Sequence, residues 1–487
     1  VSGGVSRSGP LPGGTVDVAV VGGGVVGAAV ARELAGREPA GRETDGRPLS
    51  VALVEARPDV GDGTSKANTA ILHTGFDATP GTLESRLVRR GYELLGGYAE
   101  RAGIPVERTG ALLVAWTGEE LAALDGLADK AVRNGCRECE VVGADEVYRL
   151  VPALGPGVLG GLTVPGESII CPWTTTLAFA TEALARGAAV LLNTRVDGVR
   201  RDGGGDGDGD GVTVLLTNRG PLRARWVVNA AGLGSDAVDR LFGHERYTVT
   251  PRRGELLVFD KMARPLANRI VLPVPGSRGK GVLISPTIYG NVMLGPTAED
   301  LRDRADTSTS EEGFAFLVDK GLALMPALMR EEVTASYAGL RAATEHGDYQ
   351  VHLDAARRYL VLGGIRSTGL TASMALAEHA AGLLAEAGLL TSVRGDLPEP
   401  PRMPNIGEAF PRPYMCDDLI AGDPAYGTVV CFCERVTAGE IRDALASPLP
   451  PADLDGLRRR TRAMMGRCQG FFCGAEIAGR LARVEGS

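Results

Sequence analysis

Apolar residues fill positions 18–21 after Asp17, recur at helical spacing over 25–34, and fill 51–54 ahead of Glu55. A short continuous apolar run suits a strand buried on both faces, whereas i, i+3, i+4 spacing suits a helix with one buried stripe. Strand, glycine-rich turn, helix and strand together predict a βαβ unit opening an α/β domain. Positions 36–48, before the second strand, are polar and rich in Gly, Pro and charge, and read as an insertion.

Helical periodicity returns over 83–101 and 119–134, with a strand-like 110–115 between them. Residues 195–218 read as two strands joined by DGGGDGDGDG, a hairpin tip and not a calcium-binding repeat. Buried-strand signals recur at 226–231 and 359–364, and a long helix is predicted at 371–387. β-Branched residues with Gly and Pro punctuation over 253–297 predict an antiparallel sheet. A proline-rich linker follows at 397–413, and beyond it lies a small module with four clustered cysteines.

A chain of 487 residues is too long for a single core, so two or three domains are expected. With 44% hydrophobic and 23% charged residues the composition is that of a globular protein, and a net charge of −8 argues against nucleic acid as partner. No apolar run reaches the roughly 20 residues that span a bilayer. The leader VSGGVSRSGPLPGG lacks the apolar core of a secretory signal and reads as a disordered tail over 1–14. These features suggest a cytoplasmic protein, with peripheral membrane contact left open, whose thiols serve as ligands before they serve as disulfides.

Of the eight cysteines, Cys136, Cys139, Cys171 and Cys416 are scattered. The C-x-x-C spacing of Cys136 and Cys139 has no second pair beside it and reads as structural. Cys431, Cys433, Cys468 and Cys473 lie in CFCERVTAGEI and GRCQGFFCG, a C-x-C and a C-x4-C. Such bunching points to a metal or iron–sulfur site, and the spacing alone leaves an iron–sulfur cluster, zinc and an unligated fold open. Thr437 and Glu440 form a T-x-x-E capping box, so a helix should begin just after the first pair.

Gly22, Gly24 and Gly27 fit G-x-G-x-x-G between the first strand and its helix. The first glycine permits the tight turn, the second lets a pyrophosphate approach, and the third allows close helix–strand packing. Unpaired N–H groups at the helix start favour the phosphates. Glu55 ends the second strand, where an acidic side chain binds a ribose hydroxyl. The motif does not separate FAD from NAD.

Five further segments carry a resemblance. VVNAAGLGSDAV is similar to the second flavin-contacting segment of the FAD-dependent family that includes D-amino-acid oxidase and glycerol-3-phosphate dehydrogenase. SKANTAILHTGFDATPGTLESRLVRRG resembles the flavin-facing segment of glycerol-3-phosphate oxidases and L-2-hydroxyglutarate dehydrogenases. GVLISPTIYGNVMLGPTAED and GLRAAT resemble their substrate-domain strands, and LVLGGIRSTGLTASMALAEHAAGLL their closing strand–loop–helix. The module at 428–487 resembles the bacterioferritin-associated-ferredoxin-like 2Fe-2S domain, as found at the end of the large subunit of anaerobic glycerol-3-phosphate dehydrogenase.

The resemblance implies an α/β fold: a Rossmann-like FAD-binding domain (15–82, 151–244 and 336–392), an inserted antiparallel-sheet substrate domain (83–150 and 245–335), a linker (393–427) and a small, mainly helical cluster domain. It implies FAD contacts at Gly22, Gly24, Val25, Val26, Gly27, Glu55, Ser65, Lys66, Asn68, Thr69, Val196, Ala231, Gly232, Gly364, Arg366, Ser367, Thr368, Gly369, Leu370 and Thr371. All four clustered cysteines would ligate iron. His73 matches the flavin-proximal histidine and is the leading base, with His346 second. Arg341 matches the substrate-anion arginine, Tyr289 would line the pocket, and Arg253 and Lys280 would add charge.

The expected activity is oxidation of a small anionic secondary alcohol, with glycerol 3-phosphate to dihydroxyacetone phosphate foremost. Electrons would leave through the cluster to a second flavoprotein subunit or quinone, within a hetero- or homo-oligomer. The rivals are a 2-hydroxy-acid dehydrogenase of the L-2-hydroxyglutarate type, an amino-acid dehydrogenase, and a non-catalytic electron-transfer subunit. Arg458, Arg459, Arg460 and Arg462 form a basic run that reads as a solvated helix face or a docking patch for an acidic partner.

Overall fold

The computed structural model describes the chain except for residues 1–3, 10, 12, 41–46, 203–210, 277–280, 409 and 486–487. The expected hairpin tip, part of the 36–48 insertion and Lys280 therefore lie outside the described residues. Two compact units result, one from residues 1–66, 172–251 and 341–403, the other from 67–171, 252–340 and 404–487.

The first unit is built on a sheet in the order Gly4–Ser6, Ala189–Leu191, Val51–Val54, Thr15–Val21, Gly220–Asn229, Val212–Thr217, Val196–Asp202. Tyr359–Gly363 adds in parallel to Gly220–Asn229 and carries Gln350–Asp354 antiparallel on its other side. The strands that read as continuous apolar runs occupy the parallel centre, where Val16, Val18, Ala19 and Val20 are fully buried. Helix Val25–Ala35 is buried along most of its length, as are Pro172–Ala185 and Gly369–Glu386.

The leader is not wholly the disordered tail expected. Gly4–Ser6 pairs in parallel with Ala189–Leu191, and the Arg219 guanidinium donates to Ser6 O at 3.1 Å and Ser8 O at 2.7 Å. An edge that would leave strand N–H and C=O groups unpaired captures this segment.

The second unit holds a mainly antiparallel sheet, with Thr250–Phe259, Val292–Gly295, Leu283–Pro286, Ile270–Pro273, Ala111–Ala115, Gly160–Val164 and Glu140–Gly143 in that order. Leu112, Val114, Phe259, Ile284, Val292 and Leu294 form its core. Residues 67–82 and 151–171 group with this unit, not with the cofactor domain as expected. Ser168–Ile170 pairs antiparallel with both Ile71–Leu72 and Val106–Glu107 and ties them together.

The cysteine-bearing module belongs to the same unit. Hairpin Val429–Cys431 and Val436–Thr437 leads into helices Ala438–Leu445, Leu454–Thr461 and Gly474–Glu485 around Val436, Ile441, Leu457 and Ile477. The capping box is present: Thr437 Oγ1 accepts from Glu440 N at 3.2 Å, and Glu440 Oε2 accepts from Thr437 N at 2.8 Å. The expected linker is partly structured, with the short helix Asp417–Gly422 inside it.

Candidate functional site

In the first unit the glycine turn is tightly enclosed. Gly22 has φ 109°, and a Cβ added there would lie 2.4 Å from Ala230 O. One added at Gly27 would lie 1.8 Å from Gly22 O, so only glycine lets the helix approach the strand this closely. Gly24 precedes the helix without a side-chain cap, and Val25 N donates to Ser65 Oγ at 2.9 Å. Val26 is half-buried, beside a Gly369 whose added Cβ would sit 3.9 Å away. Glu55 stands at the end of its strand and accepts from Gly23 N at 2.6 Å and Arg57 N at 2.8 Å. Burial pushes its carboxyl above the ordinary glutamate range, against the pull of these two donors.

The remaining first-unit candidates cluster by segment. Lys66 pairs with Asp62 at 2.7 Å. Val196 opens its strand half-buried. Ala231 N donates to Asn229 Oδ1 at 3.1 Å, and Gly232 takes φ 54°. Gly364 takes φ 64°, and Arg366 donates to Gly347 O at 2.7 Å beside an exposed Ser367. Thr368, with its hydroxyl 2.6 Å from that of Tyr349, precedes Gly369, Leu370 and Thr371, which begin a buried helix. Arg341 is half-buried near the end of strand Val333–Ala343. A carboxylate at the end of the second strand, a glycine turn, and a helix start without a cap of its own, where only the Ser65 hydroxyl meets Val25 N, make a set that fits a dinucleotide.

Asn68, Thr69, His73 and Tyr289 belong to the second unit. Asn68 O accepts from Tyr337 OH at 3.0 Å, and its Oδ1 accepts from Ala70 N at 2.7 Å. Leu72 pairs with Ser168, so the next residues outward, His73 and Glu167, face each other. His73 Nδ1 lies 3.1 Å from Glu167 Oε2. Glu167 is fully buried, and its other oxygen accepts from Thr74 N at 2.7 Å and Thr74 Oγ1 at 2.8 Å. An imidazole so held presents Nε2 away from the carboxylate, which is how a base is oriented. Sequence reasoning missed Glu167; its only signal was an acidic residue at the start of a strand-like apolar run.

Other candidates are placed differently from expectation. Tyr289 is buried, with its hydroxyl 3.1 Å from Cys171 Sγ, and burial holds that hydroxyl protonated. Arg253 is 6% exposed and paired with Glu255 and Glu299, so its charge is consumed within the sheet. His346 is an exposed loop residue 3.3 Å from Arg246 O. Cys136 and Cys139 are buried, which raises both thiols, Cys139 to about 12, and makes them poor ligands.

The four clustered thiols converge as two pairs, Cys433 with Cys468 and Cys431 with Cys473, each within hydrogen-bonding reach. N–H groups of Phe472, Gly470 and Phe471 aim at Cys468 and lower its thiol, while burial raises Cys473 to about 12. A Cβ at Gly466 would meet Cys433 Cβ at 2.4 Å. The thiols thus stand as two pairs, an arrangement that fits two irons each taking two thiolates.

The basic run is not a solvated docking patch. Arg459, Arg460 and Arg462 are buried, and Arg460 donates to Leu449 O at 3.0 Å and Gly456 O at 3.0 Å. The module uses the Arg460 guanidinium to satisfy its own carbonyls. Exposed instead are Phe432, Phe471 and Phe472, at 75%, 85% and 78%, all within the cysteine loops. Among the described residues no helix is long and apolar enough to cross a membrane.

Comparison with known proteins separates a flavin-binding part of the chain from the cysteine module. The model of the family described as FAD dependent oxidoreductase matches residues 17–383, and that of the BFD-like 2Fe-2S binding domain matches residues 429–483. The chain is 31% identical over 90% of its length, and 90% of the relative's, to "Glycerol 3-phosphate dehydrogenase" of Caloramator mitchellensis. It is 30% identical to "L-2-hydroxyglutarate dehydrogenase, mitochondrial" of Caenorhabditis elegans over 51% of this chain and 58% of that one. Among solved structures it is similar to reduced L-alpha-glycerophosphate oxidase from Mycoplasma pneumoniae with FAD bound, with TM-score 0.73, 28% identity, and coverage of 80% of this chain and all of that one.

Proposed function

The chain belongs to the FAD dependent oxidoreductase family and carries a BFD-like 2Fe-2S binding domain; on that premise we propose that it oxidises glycerol 3-phosphate to dihydroxyacetone phosphate and passes the electrons to a partner acceptor. When bound, FAD would supply a hydride acceptor and the 2Fe-2S cluster would supply one-electron transfer. The chain's own residues bind, orient and deprotonate.

The observation that carries an alcohol oxidation is the His73–Glu167 pair. In this reading Nε2 of His73 takes the hydroxyl proton as the C–H bond breaks. Glu167 holds the ring in one tautomer and balances the imidazolium that forms. Arg341 pairs with the substrate phosphate as a bidentate fork. Glu55 holds the ribose, and the glycine turn admits the pyrophosphate. Cys431, Cys433, Cys468 and Cys473 hold the cluster, and the exposed phenylalanines form the face at which the acceptor meets it.

The choice of glycerol 3-phosphate is supported by the likeness to the Caloramator mitchellensis protein over 90% of both chains. A 2-hydroxy acid of the L-2-hydroxyglutarate type is the second reading, favoured by the shorter likeness to that dehydrogenase. Anaerobic bleaching of the flavin by glycerol 3-phosphate, hydroxy acids and amino acids decides between them. Glycerol 3-phosphate should bleach it fastest; bleaching by none of the panel would leave only an electron-transfer role.

A further inference from the structure

Arg462 ends the helix Leu454–Thr461 with φ 71° and is 6% exposed. A buried guanidinium persists only where its charge and N–H groups are matched, and here they are matched from both sides of one boundary within the second unit. On the module side, Nε donates to Glu434 Oε2 at 3.3 Å and Nη2 lies 3.2 Å from Glu434 Oε1. On the sheet side, Nη2 donates to Asn291 Oδ1 at 3.2 Å, and the guanidinium lies 4.3 Å from the centre of the Tyr289 ring.

Each partner is itself fixed. Asn291 Nδ2 donates to Phe259 O at 2.9 Å, within the sheet. Glu434, 3% exposed, directly follows Cys433 and also meets Lys261 Nζ at 3.2 Å. One side chain thus joins the antiparallel sheet to the residue next to a cluster ligand. The planar fork reaches a carboxylate and an amide together while its face rests on an aromatic ring, which an ammonium cannot do.

We propose that Arg462 is a positioning residue that latches the cysteine module onto the antiparallel sheet, fixing where the cluster sits and placing a cation beside it. The inference rests on the electron path proposed above. A cation near the cluster favours its reduced, more negative form, so losing it lowers the cluster's potential.

The test uses the reconstituted full-length enzyme as wild type, Arg462→Met and Arg462→Lys. Flavin bleaching by glycerol 3-phosphate should proceed at the wild-type rate in all three. Subsequent reduction of the cluster should slow by about tenfold to a hundredfold in Arg462→Met, as expected for a displaced redox partner, and less in Arg462→Lys. The cluster's midpoint potential, titrated by electron paramagnetic resonance, should fall in Arg462→Met and lie nearer wild type in Arg462→Lys. Amide exchange over residues 429–437 should quicken in Arg462→Met. Wild-type cluster reduction, potential and exchange in Arg462→Met would overturn the latch. Should that variant lose its cluster, Arg462→Lys decides on rate and exchange: wild-type cluster reduction and wild-type exchange there overturn the proposal, because an ammonium cannot hold the carboxylate, the amide and the ring together. If the wild-type flavin is not bleached, the substrate reading fails, and the potential and exchange still judge the latch in dithionite-reduced protein.

Discussion

The imidazole of His73 meets the buried carboxylate of Glu167 at 3.1 Å, although the two lie 94 residues apart in sequence. The pairing follows from the antiparallel register of Ile71–Leu72 against Ser168–Ile170. Replacing the base, His73→Asn, should slow anaerobic flavin bleaching by about 100-fold or more. Glu167→Gln should slow it by about tenfold to a hundredfold through the lost orientation. Stopped-flow absorbance measures both, and unchanged bleaching in Glu167→Gln would remove the orienting role.

Cys468 accepts backbone N–H groups from its own loop and pairs with Cys433. Cys468→Ser should abolish the broad visible absorption of the 2Fe-2S centre and stop reduction of an external acceptor. Flavin bleaching by substrate should persist. Loss of bleaching along with the cluster would show that the two sites are not separable in this way.

Glu55 has a carboxyl raised by burial, so in acid it takes up its proton earlier than an exposed glutamate does. The ionised form is the one that accepts ribose hydroxyls, so flavin retention should weaken as pH falls through this raised value. For the flavin-free protein the sign is opposite: a carboxyl raised on folding contributes stability that grows as pH falls and is lost as pH rises. Glu55→Gln should bind flavin about tenfold more weakly and flatten both profiles. Released-flavin fluorescence and thermal melts against pH read the two trends.

Gly27 leaves no room for a methyl group, since its Cβ would overlap Gly22 O. Gly27→Ala should therefore force the helix from the strand and yield protein purified without flavin. Yellow protein with wild-type flavin content would contradict the close-packing argument.

Phe471 and Phe472 stand edge to face, 5.2 Å apart and exposed, on the loop ahead of Cys473. Replacing both with serine should raise the KM for the external acceptor by about tenfold while leaving flavin bleaching and the cluster spectrum intact. An unchanged acceptor KM would move the exit face elsewhere.

Much of the architecture was legible because its determinants are local. The glycine turn needs particular backbone freedom, buried parallel strands need unbroken apolar runs, and the Thr437–Glu440 capping box is a four-residue event; each leaves its mark within a few positions. The C-x-C and C-x4-C pairs were equally plain, although their convergence as two pairs depends on the hairpin and the last helix. The basic run misled because sequence spacing cannot tell a solvated arginine from one that bonds carbonyls of its own module.

The chain by itself determined the order of elements, the dinucleotide turn and the thiol set, since these rest on what each residue permits its own backbone or neighbours to do. Only the tertiary structure decided that Glu167 stands behind His73 and that Arg462 joins Glu434 to Asn291 and Tyr289. Those contacts arise from strand register and from burial of charges that must find a partner, and both are settled between segments far apart along the chain.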